Sequence, residues 1–181
     1  MISKILAGAG NDIIDLTSQR YDTSGSDSIY GGLGDDVIWS NGGNNILYGD
    51  AGNDFIVGGS GNDVIVGGSG NDTLHGGGGE DLFTFGEDWG NDVVEQYANG
   101  TVKLWFSDDD DEGTWDASSL TYTRGGNSVQ IKGVSASNVT IICGAETSRR
   151  DYDAMTVRYP GCFDNFASTM IFEKNTGTPY S

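Results

Sequence analysis

A nine-residue unit, Gly-Gly-x-Gly-x-Asp-x-apolar-x, recurs through the first half of the chain. Four units match every defined position: 31–39, 58–66, 67–75 and 76–84. Four more match in part: 7–15, 22–30, 40–48 and 49–57. The last seven units are adjacent, whereas residues 16–21 separate the first unit from the second. A fixed period of this length is typical of a solenoid, in which each unit packs only on its neighbours.

The eighth position of the unit is apolar in every copy and marks the expected core: Ile14, Ile29, Ile38, Leu47, Ile56, Ile65, Leu74 and Phe83. Side chains of a strand alternate between its faces, so positions 7–9 form a short strand with position 8 inward. The six residues before it form the turn. Two units then make one coil, and each strand stacks on the strand two units away. The sequence predicts an all-β, right-handed parallel β-roll.

Negative charge is concentrated on the repeats. The chain carries a formal charge of −18, and residues 1–99 hold sixteen acidic against two basic residues, a net charge of −14. Such a surface repels nucleic acid and anionic lipid, which are bound through Lys and Arg. No apolar run reaches the roughly 18 residues that a membrane span requires. The natural counter-ion is a cation, which must neutralise the acids as the chain folds.

The aspartate at position 6 is the expected cation ligand. Turn glycines let backbone carbonyls converge, and the aspartates of units two apart face each other across the stack. Calcium takes about six to eight oxygen ligands at flexible geometry, whereas zinc and copper favour nitrogen and sulfur. The spacing therefore indicates calcium (Ca²⁺). The alternative is an acidic solenoid without metal, in which the aspartates only form Asx turns.

The tandem units over residues 7–84 resemble the repeats-in-toxin (RTX) family of haemolysin-type proteins. In that family, each calcium ion is held by two units that lie two apart. The first unit contributes the carbonyls of positions 2 and 4 and the carboxylate of position 6. The second contributes the carbonyls of positions 1 and 3 and the carboxylate of position 6. The resemblance therefore implies calcium as the cofactor and a ligand set for each site.

Three complete sites follow from this resemblance. The first uses Gly32, Gly34 and Asp36 with Gly49, Ala51 and Asp54. The second uses Asp50, Gly52 and Asp54 with Gly67, Ser69 and Asp72. The third, on the opposite edge, uses Gly59, Gly61 and Asp63 with Gly76, Gly78 and Asp81.

One unit departs from the ligand pattern, because Asn45 stands where the aspartate belongs. The two sites that this unit would join, towards Asp27 and towards Asp63, are therefore left open. Two further pairings are expected where the spacing is irregular, the first of them only if residues 16–21 loop out: Asp12 with Asp36 and Asp72 with Asp92.

The chain divides into three expected segments: a β-roll over 1–84, a β flank over 85–143 and a tail over 144–181. The flank alternates apolar and polar residues, which predicts an antiparallel β cap for the exposed end of the solenoid. Its KLWF and GGNSVQI stretches resemble the flank that follows the repeats in adenylate cyclase toxin and related haemolysin-type proteins. In type I exported proteins of this family the secretion signal lies at the carboxy terminus, a role that the resemblance implies for the tail.

Three other features carry weaker signals. Residues 108–113 place acids and a glycine as in an EF-hand loop, but Ser119 stands at position 12 instead of Glu, which favours a solvated acidic loop. His75, the only histidine, occupies an outward position 9 and is expected at the surface. Cys143 and Cys162 lack a metal-binding spacing, and whether they pair is left open.

The function expected from these features is a calcium-binding module, without catalytic activity, that supports type I secretion and folding of a larger exported bacterial protein, such as a toxin. It would be disordered inside the cell and fold in extracellular calcium, with the type I secretion machinery as its partner. The alternative is an adhesion or ice-binding roll. The outward residues at positions 3 and 5 are too mixed for a regular lattice match: Leu33/Asp35, Ala51/Asn53, Ser60/Asn62, Ser69/Asn71 and Gly78/Glu80.

The outward positions 7 and 9 form an unusually apolar face: Val37, Trp39, Ile46, Tyr48, Phe55, Val57, Val64 and Val66. Soluble monomers rarely leave such a face bare, although apolar residues also favour strands on either face. We therefore expect at least one sheet to be covered, either by residues 144–181 or by a second copy in a homodimer.

Overall fold

The computed structural model describes residues 4–17, 25–96, 101–107, 113–143 and 172–173, which form an all-β solenoid of two eight-stranded sheets. The first sheet contains, in spatial order, β1 (Lys4–Ala9), β3 (Ser28–Leu33), β5 (Ile46–Ala51), β7 (Val64–Ser69), β9 (Glu80–Phe85), β11 (Thr101–Phe106), β15 (Val139–Cys143) and β16 (Phe172–Glu173). The second contains β12 (Thr114–Asp116), β13 (Thr121–Arg124), β14 (Asn127–Lys132), β10 (Asn91–Glu95), β8 (Thr73–Gly78), β6 (Phe55–Ser60), β4 (Val37–Trp39) and β2 (Ile13–Asp15). A short 3-10 turn, Ala136–Asn138, precedes β15.

Strands two units apart pair in parallel, as the nine-residue period predicts. Leu47 pairs with Ile29 on one side and with Ile65 on the other. Where residues 16–21 are inserted, Ile14 instead pairs with Ile38, a shift of 24 residues in place of the usual 18. The insertion is thus accommodated without breaking either sheet, and the prediction of two units per coil is confirmed.

The column at position 8 forms the core, as predicted. Its residues from Ile29 to Phe83 have exposed fractions of 0%, and Ile14 at the first coil has 9%. Burying one aliphatic side chain of this size stabilises a fold by about 1.5–3 kcal/mol. Each unit contributes one such side chain, so the core stabilises the coils only when they are stacked.

Most strands of the repeats are longer than the three residues expected. Six-residue strands such as β6 run from position 7 of one unit to position 3 of the next. Gly59, at position 2, still pairs with Gly77 although its φ is 102°. A Cβ on Gly59 would lie 2.0 Å from the carbonyl oxygen of Asn41. Because glycine permits this close stacking, the turn is shortened to positions 4–6.

The residues after the repeats continue the solenoid. Strands β10, β11 and β15 pair in parallel with their neighbours, and only β12, β13 and β14 form antiparallel pairs. The expected antiparallel pairing of this flank is therefore correct for β12–β14 and wrong for the other strands, and a separate cap is not confirmed. Alternation of apolar and polar residues has the same period in both kinds of sheet, so it could not distinguish them.

The core of the flank changes from aliphatic to aromatic side chains. Phe85 and Phe106 stack with ring centroids 5.1 Å apart, and Tyr122 lies 4.2 Å from Phe106. The ring of Trp89 packs edge-on against Phe85 at 5.9 Å. Packed aromatic rings therefore form the core at this end of the solenoid.

The outward apolar positions pack on one another in ladders along each sheet. Tyr30 and Tyr48 stack at 4.7 Å, and Phe55 lies 5.0 Å from the ring of His75. His75 is buried, with an exposed fraction of 9%, so its expected surface position is wrong. Phe55 covers one side of its ring, and Oε2 of Glu95 lies 3.8 Å from its Nδ1. The ladders half-bury this face, and its coverage by residues 144–181 or by a second copy stays a prediction.

Several expectations fall outside the described residues. They concern the acidic loop at 108–112, Cys162 and nearly all of the tail, of which only β16 is described. The described residues form no helix that is long and apolar enough to cross a membrane.

Candidate metal sites in the turns

The position-6 residues form two columns, one along each edge of the solenoid where the chain passes between sheets. The first column lies at the beginning of the strands of the second sheet: Asp12, Asp36, Asp54, Asp72 and Asp92. The second column lies at the strands of the first sheet: Asp27, Asn45, Asp63 and Asp81. All except Asp12 are buried, with exposed fractions of 6% or less. Carboxylates are almost never buried to this extent without a positive partner.

In every position-6 residue except the first of each column, the Oδ1 atom joins adjacent coils. The backbone N–H of Asp36 donates to Oδ1 of Asp54 at 2.7 Å, and that of Asp54 donates to Oδ1 of Asp72 at 2.8 Å. On the other edge, the N–H of Asp63 donates to Oδ1 of Asp81 at 3.0 Å. The same bond joins the two pairs of irregular spacing: Asp12 with Asp36 at 2.7 Å and Asp72 with Asp92 at 2.8 Å. These bonds hold neighbouring carboxylates close together.

The second carboxylate oxygen, Oδ2, is buried and accepts no hydrogen bond within the described part of the chain in six residues: Asp12, Asp36, Asp54, Asp63, Asp72 and Asp92. A buried polar group without a partner costs about 1–3 kcal/mol, and a charged one costs more. The six carboxylates of these two columns cannot all stay ionised unless a cation lies next to them.

At three of these oxygens, the Oδ2 atoms of Asp36, Asp54 and Asp63, a backbone carbonyl also lies over the glycine at position 1. A Cβ on Gly49 would lie 2.2 Å from Oδ2 of Asp54 and 2.5 Å from the carbonyl oxygen of Gly67. A Cβ on Gly58 would lie 2.4 Å from Oδ2 of Asp63. We call the space over each position-1 glycine the cradle of that unit. Each cradle brings hard oxygen atoms together in the absence of a side chain, and this donor set fits calcium.

The two halves of each expected site lie in adjacent coils. In all three sites the position-4 N–H donates to the position-3 carbonyl two units on: Gly34 to Ala51 at 2.8 Å, Gly52 to Ser69 at 2.9 Å and Gly61 to Gly78 at 2.7 Å. These position-3 carbonyls keep one lone pair for a metal. The position-1 carbonyls of the second units lie instead at the cradles: Gly49, Gly67 and Gly76. Which oxygens complete each coordination shell stays a prediction.

No group of three or more His, Cys, Asp or Glu side chains gathers at one point in the residues that the structure describes. Sites rich in backbone carbonyls produce this result, because each then needs only two carboxylates. Calcium accepts such a mixture, whereas zinc selects thiolates and imidazoles.

Burial raises the pKa of five of the position-6 carboxylates: Asp54, Asp63, Asp72, Asp81 and Asp92. The pKa is raised to about 6 for Asp54 and Asp72, to about 7 for Asp63 and to about 8 for Asp92. Loss of hydration is the largest cause in each case, and the donated backbone N–H opposes it. Neighbouring carboxylates raise the pKa of Asp54, Asp63 and Asp92 further. The metal-free turns therefore bind protons more readily than free aspartates do.

Calcium affinity is expected to fall as the pH is lowered from about 8 towards 5, because protons compete for these carboxylates. Without calcium, in chelator, the stability of the fold is expected to change with pH in the opposite direction. Because the pKa values of these aspartates are higher in the folded chain than in the unfolded chain, their contribution to stability is present below about pH 4 and is lost as the pH rises through about 6 to 8. Calcium titrations followed by circular dichroism at the two ends of this range check the first statement. Equal midpoints at both would contradict it.

Two kinds of functional residue were missed by the reasoning from sequence. Asparagines and acids at position 5 form an exposed ladder, in which the N–H of Asn71 donates to Oδ1 of Asn53 at 2.9 Å. The recurrence of Asn at that position was a visible signal.

Gln96 is fully buried at the end of the second column, with Nε2 3.2 Å from Oδ2 of Asp81 and 2.9 Å from the carbonyl oxygen of Gly77. It follows an irregular stretch, and no repeat position points to it.

A parallel β-solenoid whose turns carry buried aspartate ladders and carbonyl cradles is a metal-binding β-roll. The model of the RTX calcium-binding nonapeptide repeat (4 copies) matches residues 4–19, 21–56 and 57–94. The repeat region of this chain belongs to that family, and its repeats bind calcium. No curated protein matches the chain.

Proposed function

We propose that this chain is the calcium-dependent folding module of a larger bacterial protein exported by a type I secretion system. The observation that carries the proposal is the row of buried Oδ2 atoms without hydrogen-bond partners, such as those of Asp36, Asp54 and Asp72. A fold built around such a row depends on its counter-ion. Bound calcium supplies positive charge and oxygen coordination to the turns. The module itself carries out no catalytic step.

The residues that hold calcium in this proposal are those of the three complete sites. Asp36, Asp54, Asp63, Asp72 and Asp81 provide the carboxylates, in columns that already join adjacent coils. The carbonyls come from the turn residues: Gly32, Gly34, Gly49, Asp50, Ala51, Gly52, Gly59, Gly61, Gly67, Ser69, Gly76 and Gly78. Outer sites use Asp12 with Asp36 and Asp72 with Asp92.

Calcium binding is coupled to folding in this account. The two halves of a site belong to coils that are 18 residues apart, so a site exists only when the coils are stacked. Stacking without the ion would bring ionised carboxylates together in a region with a net charge of −14. The free energy of calcium binding is therefore free energy of folding. In the calcium-poor cytoplasm the module stays unfolded and can be threaded through an exporter.

The calcium concentration at which the chain folds tests the extracellular assignment. Extracellular calcium modules have dissociation constants of about 0.1–1 mM, and cytosolic sensors bind at least about tenfold more tightly. We expect a folding midpoint in the first range, measured by circular dichroism in calcium buffers at constant ionic strength. A midpoint below about one micromolar would mean that the chain folds inside the cell, and the export proposal would fail.

Export itself needs a separate experiment. The chain, produced in a bacterium that carries a type I exporter of this protein class, is expected to reach the medium. A version that ends at residue 143 is expected to remain in the cell, because the proposal places the signal in residues 144–181. Equal export of both versions would contradict this placement, and it would leave the calcium sites unaffected.

A further inference from the structure

The unit at 40–48 departs from the repeat at positions 1, 2 and 6 of the turn, and the changes at positions 1 and 6 lie in its cradle. Ser40 stands at position 1, where the units on either side carry glycine, and Asn45 stands at position 6, where they carry aspartate. Both side chains are buried, with exposed fractions of 2% and 1%. Positions 1 and 6 of one unit face each other across its cradle, so the two changes meet at one place.

The two side chains fill the cradle with hydrogen-bond donors. The Ser40 hydroxyl donates to the carbonyl oxygen of Gly58 and accepts a hydrogen bond from Nδ2 of Asn45 at 3.0 Å. The same Nδ2 lies 3.2 Å from the carbonyl oxygen of Gly43 and 3.5 Å from that of Gly58. The amide orientation is fixed independently, because Oδ1 of Asn45 accepts the N–H of Asp27 at 2.9 Å.

The equivalent place in the neighbouring unit 31–39 has the opposite character. There Oδ2 of Asp36 has no hydrogen-bond partner within the described chain, and it lies with the carbonyl oxygen of Gly49 at the position of a Cβ on Gly31. Acceptors face acceptors in that cradle, and a cation can join them. At Asn45 the facing atoms are hydrogen-bond donors and acceptors, which bond to each other without a cation between them.

Calcium does not fit the cradle of Ser40. An amide nitrogen has no lone pair to offer a hard cation, and it occupies the side of Asn45 where an aspartate presents its second oxygen. The carbonyls of Gly43 and Gly58 stand at positions 4 and 1, which the repeat scheme assigns to the metal, and here both face donor hydrogens. Removing these donors would be required before an ion could enter.

We propose that Ser40 and Asn45 close this turn without metal, so that the site between Asn45 and Asp63 binds no calcium while the aspartate sites do. The inference rests on the ligand assignment proposed above. It makes the two edges of the solenoid unequal. One edge has an unbroken aspartate column. In the column of the other edge, the uncharged side chains of Ser40 and Asn45 join two stacked coils by hydrogen bonds that do not require calcium.

The test restores the repeat pattern in this unit. The double variant Ser40→Gly/Asn45→Asp removes the donors and supplies a carboxylate, and we expect it to bind at least one more calcium ion per chain than the natural protein. Native mass spectrometry at saturating calcium counts the ions. Asn44→Asp is the matched control, since Asn44 is adjacent and exposed and the change adds the same charge. Its ion count is expected to equal that of the natural protein.

An unchanged ion count in a folded double variant would overturn the inference. A natural protein that binds no calcium at all would also overturn it, together with the whole ligand assignment, and the two results are distinguishable. If the double variant does not fold, a crystal structure of the natural protein with calcium still tests the inference. Anomalous scattering from calcium-loaded crystals is expected to show no ion between Asn45 and Asp63, and an ion at that place would overturn the inference.

Discussion

Gly49→Ala is expected to abolish calcium binding at its cradle, a large effect for one methyl group. The added Cβ would lie 2.2 Å from Oδ2 of Asp54 and 2.5 Å from the carbonyl oxygen of Gly67. The carbonyl belongs to the backbone of the next coil, and Asp54 is fixed by the N–H of Asp36, so neither can withdraw freely. Isothermal titration calorimetry is expected to show the loss of at least one bound ion.

Gly78→Ala is the matched control for this substitution. Gly78 offers only its backbone carbonyl to the third site, which alanine keeps, and a Cβ there would meet nothing within 4 Å. Position 3 already carries leucine, alanine and serine in other units. We expect the number of ions and their affinity to be unchanged in this variant. If both variants lose calcium equally, the cradle is not the site.

Asp54→Asn is expected to weaken calcium binding by at least about tenfold, and Asp27→Asn by much less. Asp54 stands between two other aspartates of its column, Asp36 and Asp72, and its carboxylate serves two complete sites in our assignment. Asp27 faces Asn45, whose Oδ1 accepts its N–H. Both substitutions remove one charge and keep an Oδ1 acceptor, so their comparison isolates the role of Oδ2.

The ranking of these two variants is the measurement. Calcium titrations of both proteins, under one set of buffer conditions, give the two affinities relative to the natural chain. If Asp27→Asn causes the larger loss, the sites do not lie where the assigned register places them. Equal losses would contradict the statement that Asn45 interrupts its column.

The nine-residue period was sufficient to predict the register and the core. Every apolar residue at position 8 is buried, because a solenoid with two units per coil aligns this position in both sheets. The pairings of Asp12 with Asp36 and of Asp72 with Asp92 also follow once the extra residues are allowed for in the spacing. Local spacing determines these features, so they are visible in a single sequence.

Other features depend on contacts between distant residues, which the period does not encode. The departure from the repeat at Asn45 is visible in the sequence, whereas Ser40 is only a mismatch at position 1. The structure shows that the two side chains share one cradle. Burial of His75 results from Phe55 on one neighbouring strand and Glu95 on the other. Parallel pairing of β11 on β9 was missed because alternation is the same in either direction.

The central claim is that calcium completes this fold, and circular dichroism with and without chelator tests it most directly. We predict a strong β signal in millimolar calcium and its loss in excess chelator, because the Oδ2 atoms of residues such as Asp54 and Asp63 are then left buried without a partner. Magnesium is expected not to restore the signal, since it requires a tight octahedral shell that these carbonyl-rich turns do not provide. The same β signal in calcium and in chelator near neutral pH would contradict the account.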